Sequence, residues 1–171
     1  MSGYIQVYTG DGKGKTTAAL GLSMRAIGAG LKVFIAQFMK KGNCSEINTL
    51  KKLNDFITIK QYGTGSFIYG APSDEDIKAC EKGLEEVEKF ISTKKYDIII
   101  MDEMNVAVAY GLCSIERFMK LIDAKHEDVE LVITGRGAHE KLVKRADLVT
   151  EAKEVKHYFS KGVKARDGIE K

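Results

Sequence analysis

Nine residues close to the start of the chain, Thr9-Gly10-Asp11-Gly12-Lys13-Gly14-Lys15-Thr16-Thr17, limit the fold more than any other feature. They separate an apolar run, Tyr4-Ile5-Gln6-Val7-Tyr8, from a segment, Lys15 to Ala29, whose Ala18, Leu22, Ala26 and Ala29 recur at helical spacing. Gly28 and Gly30 mark the end of that helix. Strand, glycine-rich turn and helix in that order are the setting of a phosphate loop, G-x-x-x-x-G-K-S/T. Gly14-Lys15-Thr16 supplies the end of the pattern, and Thr9 stands where the first glycine usually does. Glycines let successive backbone N–H groups converge on phosphate oxygens. A helix starting at Lys15 adds more N–H donors and the positive end of its dipole. Lys15 offsets triphosphate charge, and Thr16 offers a hydroxyl to Mg²⁺. Thr9, Gly10, Asp11, Gly12, Lys13, Gly14, Lys15, Thr16 and Thr17 are therefore the candidate nucleotide-binding set. A bare glycine turn beside a basic helix start is the plainer reading, and the flanking strand and helix weigh against it.

The remaining elements alternate. Lys32 to Met39 is a second strand, and its unbroken Val33-Phe34-Ile35-Ala36 suits a parallel sheet covered on both faces. A short helix over Ile47 to Leu53 and a strand over Phe56 to Gln61 follow. Gly63 to Ala71 is a glycine-bearing loop carrying Phe67 and Tyr69. Ser73 caps the clearest helix, with Asp74, Glu75 and Asp76 at its positive end. Ile77, Cys80, Leu84, Val87 and Ile91 are its predicted buried stripe. Asp97 to Met101 is a strand ending in Asp102-Glu103. Ser114 caps a helix to Ala124, Val129 to Thr134 is a strand, Ala138 to Lys144 a helix, and Leu148 to Thr150 a short strand. This order predicts a three-layer α/β fold, P-loop NTPase-like and RecA-like, with a mostly parallel central sheet. The whole chain, 1–171, reads as one nucleotide-binding domain. Its polar stretch 151–171 is expected to be a tail, either mobile or folded over the site when ligand is present.

Asp102-Glu103 follows four apolar residues, where an acid of a phosphate-loop protein holds the metal directly or through water. Carboxyl ends of parallel strands form the ligand-binding edge, so the pair is expected opposite Thr16 across Mg²⁺. Periodicity leaves open which carboxylate reaches the metal directly. Arg136, just past another strand, is placed to neutralise a phosphate or leaving group. Gln37 and Lys40 leave the second strand at the same edge, where Lys40 can meet an anionic ligand. Phe67 and Tyr69 can cover a flat ligand, or simply pack in their loop.

Composition removes several classes. With 27 Lys+Arg against 24 Asp+Glu, net charge is +3, and no basic stripe is visible, so a nucleic-acid partner is not expected. The 3 cysteines form no CxxC pair, which gives no support to a zinc knot or redox dithiol. No apolar run approaches membrane-spanning length. Met1 to Tyr4 leads almost directly into a strand, leaving no room for a signal peptide, so a cytoplasmic location is expected.

Together these residues resemble the ATP:corrinoid adenosyltransferases of the phosphate-loop type. The likeness runs from Tyr4 to Glu170. It includes the nine-residue loop, Gln37-Phe38-Met39-Lys40, Gly63-Thr64-Gly65, Asp102-Glu103-Met104-Asn105 and Thr134-Gly135-Arg136-Gly137. Ala146-Asp147-Leu148-Val149-Thr150-Glu151, Lys156-His157 and Gly168-Ile169-Glu170 complete it. The resemblance implies that a reduced corrinoid, cob(I)alamin or a relative, attacks C5′ of ATP and releases inorganic triphosphate. It implies Lys15, Thr16, Glu103 and Arg136 as catalytic residues. It implies Glu103 and Thr16 as the direct Mg²⁺ ligands, with Asp102 beside them. It places Phe67 and Tyr69, with Gln37 and Lys40, at the corrinoid. One residue is inserted before Phe67, and Tyr69 stands where the family commonly has tryptophan. A homodimer and a reducing partner such as a flavoprotein are further implications. Two rivals predict other products: a RecA-like ATPase or kinase releases phosphate or ADP, and a nucleotide- or corrinoid-responsive sensor makes no Co–C bond.

Overall fold

The computed structural model describes residues 2–42, 44–65, 68 and 70–170. Among the described residues six strands form one sheet: β1 (Ile5–Thr9), β2 (Val33–Phe38), β3 (Ile57–Tyr62), β4 (Ile98–Asp102), β5 (Glu130–Thr134) and β6 (Leu148–Glu151). Their order is β3-β2-β4-β5-β1-β6. Every pairing is parallel, including Gln37 opposite Asp102, Tyr8 opposite Thr134 and Thr9 opposite Glu151. All strands therefore end at one edge, and the loops that follow them collect there.

Alternating side chains build a core on each face. Val33, Ile35, Ile98 and Ile100 point to one side, and Phe34, Ala36, Phe38, Ile99 and Met101 to the other. Helices α1 (Lys15–Gly28) and α2 (Ser45–Leu50) cover the first face. Helices α3 (Asp74–Ile91), α4 (Met104–Ala109), α5 (Ile115–Asp123) and α6 (Glu140–Arg145) cover the second. The result is the expected three-layer, RecA-like arrangement. No helix among the described residues is long and apolar enough to cross a membrane.

The caps agree with their sequences. Ser73 and Asp76 form a reciprocal capping box on α3, and Ser114 Oγ accepts the Arg117 N–H at 3.1 Å on α5. The helix stripes need correction. In α1 the buried residues are Ala19, Ser23 and Ala26, whereas Ala18 and Ala29 are exposed. A serine is accommodated because its hydroxyl donates to the Ala19 carbonyl at 3.1 Å. In α3 burial starts at Cys80 and runs through Gly83, Leu84, Val87 and Ile91, while Ile77 is 39% exposed. The missing side chain of Gly83 lets Phe38 and Tyr62 reach the helix: a Cβ there lies 2.7 Å from each ring.

Helix α4 is an element that periodicity did not predict. Its residues, Met-Asn-Val-Ala-Val-Ala, carry no polar face, and no side chain caps its start. Residue 151 also differs from expectation, since Glu151 belongs to β6 and Ala152 bonds back to the phosphate loop.

Candidate active site

The phosphate loop lies between β1 and α1, and its backbone is held from three sides. Lys15 Nζ donates to the carbonyls of Gly10 and Gly12, each at 2.7 Å. Ala152 brackets the loop: its N–H donates to Thr9 O at 2.8 Å, and its carbonyl accepts the Gly12 N–H at 2.7 Å. Thr9, at the usual first glycine position, has work for its side chain: Oγ1 accepts the Ala138 N–H at 3.2 Å. That bond ties the loop to the segment after β5. Gly10 and Gly14 have φ of 91° and 111°, which side chains resist. Gly14 leads directly into α1, so the positive end of a 14-residue helix points at the loop.

The acid pair ends β4 directly beside the loop. Asp102 is 1% exposed, and donors meet both of its oxygens. Oδ1 accepts the hydroxyls of Thr16 at 2.8 Å and Thr134 at 2.7 Å. Oδ2 accepts Lys40 Nζ at 2.8 Å and, more weakly, Gln37 Nε2 at 3.3 Å. Burial pulls the Lys40 ammonium down, but the charge and hydrogen bond of Asp102 outweigh it and raise it. Glu103 turns the other way. Its φ is 61°, its backbone N–H donates to Thr134 Oγ1 at 3.1 Å, and its side chain lines the cavity. Burial, then the charge of Asp102, pushes the Glu103 carboxyl above its ordinary range. A second acid beside a fully bonded one leaves negative charge only partly offset by Lys40, Lys15 and Arg136. Thr16 Oγ1 and the Glu103 carboxylate are hard oxygen donors, which suit Mg²⁺ completed by phosphates and water. Among the described residues no three His, Cys, Asp or Glu side chains cluster as a metal site, and such an ion needs none.

Arg136 stands across the loop, with Nη2 donating to Asp11 O at 3.3 Å. Burial, then the neighbouring Arg136 charge, lowers the Lys15 ammonium from its ordinary value. The C-terminal segment reaches the same place. Lys13 Nζ donates to Tyr158 OH and Ile169 O at 3.0 Å and to Glu170 Oε1 at 2.8 Å. Tyr158 OH bonds to Glu170, and Arg166 Nη2 donates to Glu170 at 3.0 Å. These donors, Arg166 first, hold the Glu170 carboxyl far below its usual range.

One cavity of about 1080 Å³ joins part of these groups: its lining includes Lys13, Lys15, Thr16, Lys40, Glu103, Arg136, Tyr110 and Glu170. Over residues 1–170 the chain matches the family described as ATP:corrinoid adenosyltransferase BtuR/CobO/CobP. The chain belongs to the ATP:corrinoid adenosyltransferase family. It is 34% identical to the corrinoid adenosyltransferase of Escherichia coli K12 over 98% of its length and 85% of that protein. The corrinoid adenosyltransferase CobA of Salmonella typhimurium gives 34% over the same shares, and the corrinoid adenosyltransferase of Pseudomonas aeruginosa 31% over 98% and 83%. ATP and corrinoid are the substrates consistent with this membership.

The expected residues fall into separate groups. Asp11 to Thr17, Lys40, Glu103 and Arg136 line the cavity. Thr9 and Gly10 support the loop from behind. Gln37 is fully buried and, like Lys40, bonded to Asp102, so both are held on the acid. Phe67 and Tyr69 lie outside the described residues. Thr134 and Glu170 stood inside recognised motif segments without a role of their own, and Ala152 was not singled out at all. A lone polar residue closing the apolar β5 was the available signal for Thr134; Ala152 had none, because only its backbone acts.

Proposed function

We propose that this chain transfers the 5′-deoxyadenosyl group of ATP to the cobalt of cob(I)alamin or a related reduced corrinoid, with triphosphate as the leaving group. The observation that carries the reading is the single cavity of about 1080 Å³ that joins Lys13, Lys15 and Thr16 of the loop to Glu103 and Arg136. Small-molecule pockets commonly span roughly 300–1000 Å³, so this one has room for a nucleotide and part of a second, larger substrate.

The reaction needs little from protein acids and bases. The cobalt lone pair attacks C5′, a Co–C bond forms, and the C5′–O bond breaks with its electron pair leaving on triphosphate. The protein must align the two reactants and stabilise charge on the leaving group. Lys15, Lys13 and Arg136 supply fixed positive charge there, and the backbone N–H groups of Lys13 to Thr16 supply donors, the Gly12 N–H being taken by the Ala152 carbonyl. Thr16 and Glu103 are the residues to hold Mg²⁺, with Asp102 behind Thr16. When bound, that ion adds positive charge to the departing oxygens. Phe67 and Tyr69 are assigned to the lower face of the corrinoid, where they favour loss of its axial ligand before reduction. The segment 151–171 acts as the cover of the nucleotide, its Glu170 on Lys13. A homodimer, a flavoprotein reductant and a cytoplasmic setting complete the reading.

The test is an anaerobic reaction with chemically reduced cob(I)alamin and Mg-ATP. A light-sensitive adenosylated corrinoid with an equimolar amount of triphosphate is the expected result. Phosphate or ADP without a corrinoid product transfers the assignment to a RecA-like hydrolase or kinase.

A further inference from the structure

We propose that Thr134 is the positioning residue that couples the acid pair to the phosphate loop, so that the Thr16 hydroxyl and the Glu103 carboxylate are presented together to a metal–nucleotide. The proposal rests on the nucleotide reading above and adds a residue that forms no part of it.

Thr134 ends β5, the strand that lies between the loop strand β1 and the acid strand β4. From there one side chain reaches both acids, and it has no exposed surface. Its hydroxyl proton goes to Asp102 Oδ1 at 2.7 Å, and its oxygen accepts the Glu103 N–H at 3.1 Å. A hydroxyl carries one proton and two lone pairs, so this pattern fixes its orientation. Thr16 donates its own single proton to the same Oδ1 at 2.8 Å, which leaves both lone pairs of its oxygen free for a cation. Lys40 and Gln37 hold Oδ2. The carboxylate cannot rotate without leaving a buried donor unpaired. Glu103 has a left-handed backbone, φ 61°, which an ordinary side chain adopts only when its surroundings hold it. The Thr134 bond to its N–H is one such hold. The other is the first turn of α4, where Ala107 N–H donates to Glu103 O at 3.0 Å. Thr134 thus sets the direction of one proposed ligand through Asp102 and of the other through its backbone.

Thr134→Val keeps the shape and removes the hydroxyl. The experiment measures ATP binding by calorimetry twice, with Mn²⁺ as the metal probe and with EDTA, on the full chain. For Thr134→Val the affinity with Mn²⁺ falls on the order of tenfold, as for loss of a hydrogen bond to a charged group. Affinity in EDTA stays within about twofold, and Thr134→Ser restores the metal-dependent part. A purely structural role weakens both affinities alike or only lowers the melting temperature, and that result overturns the proposal. So does Mn-ATP binding equal to the parent's, or a serine variant that behaves like valine. If the valine variant does not fold, Thr134→Ala read against Thr134→Ser gives the same ratio of the two affinities. A parent that forms adenosylated corrinoid while Thr134→Val keeps its Mn²⁺ dependence sinks this inference alone. A parent that forms none sinks the functional reading.

Discussion

Three glycines of the phosphate loop separate two physical costs that are usually mixed. Gly14 has φ of 111° and open space where a Cβ would sit. Gly12 lies outside the left-handed range, but a Cβ there comes within 2.8 Å of the Ala152 carbonyl oxygen and 2.9 Å of its carbon. Gly10 carries both burdens, φ of 91° and a contact of 2.5 Å with the same oxygen. A left-handed backbone costs an L-residue about 1–2 kcal/mol, which is the expected loss for Gly14→Ala. Relieving the contact at residue 12 moves the end of β6. It loosens the bonds Gly12 N–Ala152 O and Ala152 N–Thr9 O, at 2.7 and 2.8 Å. At about 1 kcal/mol net for each bond, Gly12→Ala costs about 2 kcal/mol. Gly10→Ala combines the two, about 3–4 kcal/mol. With a urea dependence of about 2 kcal/mol per molar, the midpoints fall by about 0.5–1, 1 and 1.5–2 M respectively. Equilibrium urea unfolding followed by circular dichroism reads this order. Equal losses at residues 10 and 14, or a Gly12→Ala protein as stable as the parent, refute the idea that Ala152 braces the loop.

Two further outcomes follow from the site. Lys15→Ala removes the cation nearest the loop and its bonds to the Gly10 and Gly12 carbonyls. Turnover in the corrinoid assay should fall on the order of a hundredfold or more, and full activity of this variant contradicts the loop's role. The raised Glu103 carboxyl means that the folded chain keeps this proton to higher pH than the unfolded chain. Stability is therefore lost as pH rises from the ordinary value of 4.5 through the raised one. Glu103→Gln removes that loss, so the ligand-free variant melts above the parent at about pH 7 and level with it near about pH 4, while turnover drops. A variant that melts below the parent at both pH values shows that Glu103 is a structural acid instead.

The raised Glu103 carboxyl also shows how stability and function are set against each other here. An acid next to Asp102, half-buried and held at a strained φ, is unfavourable in the ligand-free fold, and under the proposed function an arriving cation is what offsets it. Thr134 and Lys40 keep that arrangement in place, and neither has to touch the reacting atoms to do so.

Much of the fold was legible because its determinants are local. The loop, its flanking strand and its helix lie within a short stretch, and glycine spacing and periodicity act over that range. Unbroken apolar strands announce a parallel sheet, and Ser73 and Ser114 announce helix starts, for the same reason. Helix α4 escaped because six residues without a polar face or a capping side chain carry no periodic signal. In α1 two expected positions were off by one, Ala18 for Ala19 and Leu22 for Ser23, while Ala26 is buried as its spacing indicates. Only the docking of the helix on β4 and β5 chooses Ala19, Ser23 and Ala26. The site itself was decided by the tertiary structure. Asp102 and Glu103 were visible as acids at a strand end, but which of them faces the cavity depended on one left-handed backbone. Thr16 meets Asp102 across 86 residues, and Thr134 meets it from a strand that enters between them only because of the order β4-β5-β1. Ala152 comes to the loop because β6 adds next to β1, and Glu170 comes to it through its ion pair with Lys13. By itself, then, the sequence determined the chemical kinds present: a phosphate loop, an acid pair and a basic residue beyond a strand. Strand order and register decided which of them touch, because hydrogen bonds between residues far apart in the chain form only after the sheet has put their strand ends side by side.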